Sequence, residues 1–82
     1  MGINEFRAFA LQTLCEAHNW EPMQTEFFTL KGWEYRIRKE PDGMFSLTER
    51  ASKYDMWPGP DEFKTMGRLF AFIFASRCIS YN

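Results

Sequence analysis

The chain contains no valine, which leaves its core to be led by aromatics, and only one histidine and two cysteines, which leaves little for metal or disulfide chemistry. One histidine, His18, and two cysteines give no ligand-spacing motif for a metal centre, which needs three or four ligands of the right type. Cys15 and Cys78 stand far apart and form no ligand-spacing motif and no disulfide framework. There is no GxGxxG and no GxxxxGK string, so phosphate cradles of those kinds are absent. The chain opens Met1-Gly2-Ile3-Asn4-Glu5 with no basic segment leading into an apolar one, and it lacks the serine or threonine of a myristoylation signal. The longest apolar run, Leu69–Ala75, falls far short of a bilayer span. The expectation is a cytoplasmic protein with reduced thiols, no cofactor and no membrane partner.

What the chain does have is aromatic side chains. Nine Phe, three Trp and three Tyr occur in 82 residues. Rings burying roughly 150–250 Å² each can close a core in a chain this short. The composition, 45% hydrophobic and 26% charged, fits one globular domain over residues 1–82. The formal charge of −1 argues against a generic polyanion binder. Positive charge gathers only in residues 31–53, where Lys31, Arg36, Arg38, Lys39, Arg50 and Lys53 outnumber Glu34, Glu40, Asp42 and Glu49.

Residues 4–19 read as a helix, capped by Asn4, with Ile3, Phe6, Ala10, Leu14 and Ala17 on one face. Pro22 forbids much continuation. Residues 25–48 read as a three-stranded antiparallel meander. Lys31-Gly32 suits a two-residue hairpin loop, which sets Leu30 opposite Trp33 and Phe28 opposite Tyr35. Glu40-Pro41-Asp42-Gly43 suits a type I turn with a left-handed glycine, which sets Lys39 opposite Phe45 and Ile37 opposite Leu47. Both turns place Phe28, Leu30, Trp33, Tyr35, Ile37, Phe45 and Leu47 on a single face, and a one-residue slip would scatter them. Residues 49–60, with Trp57-Pro58-Gly59-Pro60, read as a stiff loop. Asp61 opens a second helix running to about Ser80, its core face carrying Phe63, Met66, Phe70, Ile73 and Phe74. The fold class is therefore α+β, in α-β-β-β-α order, with a three-stranded sheet covered by two helices.

The element order resembles that of the double-stranded RNA-binding domain. That family carries a basic cluster at the start of its last helix. The same place here reads Gly59-Pro60-Asp61-Glu62-Phe63-Lys64, which would repel phosphate, so the family's RNA contacts do not carry over.

The sites with chemical potential are few. Cys15 and His18 could pair as nucleophile and base, but nothing resembling an oxyanion element accompanies them, and a solvent-facing histidine at a helix end is the plainer account. Asp61-Glu62 reads as a helix cap and dipole complement. On the outer sheet face Phe27 sits opposite Arg36, with Arg38 beyond; such a face is solvated, binds a protein, or stacks bases. Trp57 either folds back to plug the core or anchors a partner. Phe72 and Ile79 point away from the second helix's core face, and they meet either the first helix or another molecule.

The expectation for function is a non-enzymatic protein-binding accessory or inhibitor of phage or mobile-element type. It would occlude a partner protein's surface through Phe27, Arg36, Arg38, Trp57, Phe72 and Ile79, and could form a homodimer. A nucleic-acid-binding face made of Arg36, Arg38 and Phe27 is the alternative.

Overall fold

The structure, a computed structural model, describes residues 1–77. Helix α1 spans Ile3–Glu16 and tightens into a 3-10 turn over Ala17–Asn19. Asn4 lies inside the helix and is not its cap. Gly2 holds that position, without a side-chain cap bond. Ile3 packs against the core, which draws the first turn one residue further back.

Strands β1 (Thr25–Leu30), β2 (Trp33–Lys39), β3 (Phe45–Arg50) and β4 (Asp61–Phe63) form one sheet in chain order, antiparallel throughout. Both predicted registers hold: Leu30 faces Trp33, Phe28 faces Tyr35, Ile37 faces Leu47, and Lys39 faces Phe45. The first loop has the two positive φ angles of a type I′ turn, 51° at Lys31 and 82° at Gly32. In the second, Gly43 takes φ 90°, and the Glu40 N–H donates to the Met44 carbonyl at 2.8 Å.

The sheet has four strands rather than three. Asp61 and Glu62 are not a helix cap; they pair with Leu47 and Ser46, and Phe63 pairs with Phe45. The cap belongs to Thr65, whose Oγ1 accepts the Arg68 N–H at 3.1 Å. Helix α2 accordingly starts at Met66 and runs to Ser76. Its expected continuation to Ser80, with Cys78 and Ile79, lies outside the described residues.

Both helices cover one face of the sheet. Phe6 of α1 meets Phe28 of β1 and Phe70 and Phe74 of α2, with ring centroids 5.5, 5.9 and 5.3 Å away. Of the meander residues expected in the core, Trp33 alone is only half-buried; the Arg77 guanidinium lies over its ring at 4.3 Å. Arg77 also donates to the Tyr35 hydroxyl and pairs with Glu49 at 2.8 Å. Burial raises the Tyr35 pKa above its usual value, against the lowering pull of Arg77. Phe72 is half-buried by Phe63, 5.4 Å between centroids, so the strand that was read as helix supplies its cover.

One backbone feature costs stability. Pro22 and Met23 are the central residues of a turn closed by the Gln24 N–H on the Glu21 carbonyl, and Met23 takes φ 71°. That is the type II position at which glycine is usual. Met23 also makes a bulge against Lys39: its N–H donates to the Lys39 carbonyl at 2.7 Å, while the Lys39 N–H donates to the Gln24 carbonyl at 3.0 Å. A left-handed non-glycine residue costs about 1–2 kcal/mol, and glycine's extra unfolded-state freedom returns up to about 1 of that. Met23 is exposed, so little packing is at stake. Met23→Gly is expected to raise stability by about 0.5–1 kcal/mol in urea denaturation.

Candidate functional site

The helices leave the opposite face of the sheet uncovered, and the alternation of the strands decides what it shows. Phe27 of β1, Glu34, Arg36 and Arg38 of β2, and Ser46, Thr48 and Arg50 of β3 all project from it, as their pairing requires. The loop after β3 folds back across this face and sets Trp57 on it. The Arg50 guanidinium lies 4.1 Å from the Trp57 ring centroid and that of Arg36 lies 5.0 Å away. Phe27 stands beside the same indole at 6.3 Å. Trp57 therefore does fold back, but onto the outer face and not into the end of the core. Thr48, opposite Arg36 and two residues from Arg50, is only 2% exposed.

Arg50 organises the cluster. Its Nε and Nη2 reach the same Glu34 oxygen at 2.8 and 2.7 Å, across the strand pairing of Glu34 with Arg50. Its Nη1 donates to the Asp55 carbonyl of the loop at 2.9 Å. One guanidinium thus ties the central strand, the loop backbone and the indole together. By sequence pattern Arg50 falls in the loop after the third strand, where it only adds to the positive charge of residues 31–53. The signal was present, however: the register that sets Ile37 opposite Leu47 also sets Glu34 opposite Arg50 if the strand is simply continued.

Arg38 does not join this group. It pairs with Glu40 at 3.1 Å, and the Ser46 hydroxyl donates to the same carboxylate at 2.7 Å. The Ser46 hydrogen bond, with Arg38 behind it, holds the Glu40 carboxyl below the usual carboxylate range. The structure therefore brings Phe27, Arg36 and Trp57 together, sets Arg38 apart on the same face, and leaves Phe72 on the far side in α2. Ile79 lies outside the described residues. Cys15 and His18 are both exposed, on α1 and in the turn after it. Among the described residues no group of three His, Cys, Asp or Glu side chains could hold a metal ion. No described helix is long and apolar enough to cross a membrane.

The face is apolar in its exposed parts and internally neutralised in its charged ones. Phe27 is 63% exposed, and in the loop Tyr54 and Met56 are 85% and 91% exposed. A groove of about 460 Å³ runs beside Phe27 and Trp57, lined also by Met1, Thr29, Glu34 and Arg50 and reaching Phe28 and Tyr35. Against its three arginines stand Glu34 and Glu40, both engaged.

No protein-family model matches the chain, and no curated protein or solved structure is significantly similar to it.

Proposed function

We propose that the chain is a non-enzymatic binding protein that occludes a partner protein's surface with the Phe27–Trp57 face. The observation that supports this is an exposed Phe27 beside a tryptophan that two arginines hold in place, with Tyr54 and Met56 exposed in the loop that carries that tryptophan. Trp, Tyr and Arg are the residue types that dominate interface energetics. Trp57 is already stacked on Arg36 and Arg50, so little side-chain freedom is lost when it is covered.

Base stacking is the second reading, and Arg36 beside Phe27 and Trp57 is the observation that favours it. The charge balance weighs against it. Two of the face's three arginines are committed to Glu40 and Glu34, which leaves a surplus of one positive charge for a phosphate backbone.

The test is affinity capture from the source cell with tagged wild type and Trp57→Ala, with bound protein and bound nucleic acid measured separately. The expected result is a protein retained by wild type and lost by a folded Trp57→Ala variant. Retention of nucleic acid that fades steeply with salt would overturn the reading in favour of the second one. Capture that is indifferent to Trp57 would overturn it outright.

A further inference from the structure

The chain order of the sheet leaves β1 at one edge, with six residues, while the opposite edge is the three-residue β4. The hairpin geometry settles which β1 groups are spent. A two-residue loop is closed by a pair that exchanges both backbone hydrogen bonds, here Leu30 and Trp33, and bonded pairs then recur at every second residue. Phe28 and Glu26 are bonded to β2 in this way, and the Lys39 N–H donating to the Gln24 carbonyl continues the alternation. Thr25, Phe27 and Thr29 consequently turn their N–H and C=O groups outward along the edge.

Of the protections that proteins use against self-pairing, that edge carries one, the charge of Glu26 on the same face as Phe28 and Leu30. The strand Thr25-Glu26-Phe27-Phe28-Thr29-Leu30 contains no proline and no lysine, and the bulge at Met23 precedes it rather than interrupting it. It is also nearly symmetric about Phe27. We propose that two copies of this chain pair antiparallel through β1, with Phe27 opposite Phe27 on a twofold axis, Thr25 opposite Thr29, and Glu26 opposite Phe28. The two sheets join into one of eight strands, and the two Trp57 faces become a single continuous face. The proposal deepens the protein-binding reading of the same face by naming one partner as a second copy.

Neighbouring registers are worse for physical reasons. The outward groups must meet outward groups, so the strands can shift only by steps that keep Thr25, Phe27 and Thr29 in bonded pairs. Shifting one way sets Glu26 directly against Glu26, and like charges directly opposite each other destabilise a sheet. Shifting the other way brings Phe28 against Phe28, but Phe28 is buried under α1 and stacked on Tyr35. The central register pairs an exposed Phe27 with its own copy and a hydroxyl with a hydroxyl. The Met1 ammonium, 3.4 Å from the Thr29 hydroxyl, is a contact that this pairing displaces.

Sedimentation velocity on the purified full chain over a concentration series tests the proposal. Wild type is expected to rise toward twice the chain mass. Phe27→Lys and Phe27→Glu are each expected to stay monomeric, because identical charges then face each other. Mixed in equal amounts, the two variants are expected to recover the dimer, since a lysine now faces a glutamate. If either substitution unfolds the chain by circular dichroism, Thr29→Pro removes an outward N–H without touching the β1–β2 ladder and should abolish the dimer alone. Three results would overturn the pairing: a monomer at every concentration, a dimer untouched by Phe27→Lys, or a mixture that stays monomeric. A monomer that still captures a partner protein sinks the pairing and spares the binding reading; a dimer that captures none does the reverse.

Discussion

Phe6→Ala is expected to lower the melting temperature by tens of degrees. Phe6 is fully buried, and its ring touches β1 and α2 at once through Phe28, Phe70 and Phe74. Truncating a buried phenylalanine to alanine costs about 3–5 kcal/mol, part of it lost transfer energy and part the cavity left behind. A domain of 82 residues holds about 4–12 kcal/mol in total at the usual stability per residue. The loss is therefore a large share of the whole, and at about 4–8 °C per kcal/mol the melting temperature should fall by tens of degrees. Phe6→Leu should cost much less, about 1–1.5 kcal/mol, because it keeps most of the volume. Urea denaturation followed by circular dichroism measures both. Near-equal losses for the two variants would mean that the site collapses freely and that Phe6 is not the joint between the layers.

That joint is visible in the sequence because the elements around it obey strong local rules. The helical spacing of Phe6 and Ala10, and the turns at Lys31-Gly32 and Pro41-Asp42-Gly43, leave one register in which every large apolar strand residue faces inward. The observed pairing is that register. β4 was not legible, because three residues are too few to show an alternation, and Asp61-Glu62 after Pro60 has the composition of a helix start. Only the tertiary pairing with Ser46 and Leu47 overrides that local preference. The cover of Phe72 is hidden for the same reason, since Phe63 has helical spacing in the sequence and packs across the helix only from β4.

The outer face was half legible for a related reason. Phe27 opposite Arg36 follows from the first turn alone, because local geometry carries it. Trp57 reaches the face from a loop with no periodicity, so its position depends on contacts distant in sequence. Of these the Arg50 guanidinium is the nearest to its ring centre. The alternation of apolar residues ends at Leu47, so the sequence pattern does not carry β3 on to Arg50, the residue that gives the loop its reason to return. One residue carries much of the difference between a loop with a tryptophan and a face with one.

Arg50→Ala is therefore the second substitution with a large expected effect, and it separates two roles. It removes the pair with Glu34, the bond to the Asp55 carbonyl and the contact with Trp57, and it leaves Glu34 partly buried without its partner. Hydrogen bonds to charged groups contribute about 1.5–3 kcal/mol, and a cation over an indole about 0.5–2. These contributions overlap on one side chain, so the expected loss is about 2–3 kcal/mol of stability and not their sum. Lysine at this position is expected to recover less than half of it, because a single ammonium cannot serve the carboxylate, the carbonyl and the ring together. The distinguishing readout is local. If Arg50 clamps the loop, chymotrypsin should cut after the exposed Tyr54 roughly ten times faster in Arg50→Ala under conditions where the fold persists, as about 1.4 kcal/mol of lost local protection requires. Stability that falls while cleavage at Tyr54 stays at the wild-type rate would show that Arg50 supports the sheet alone. Trp57 would then be held by Arg36 and Phe27, and the preorganised face would have to be credited to those two residues.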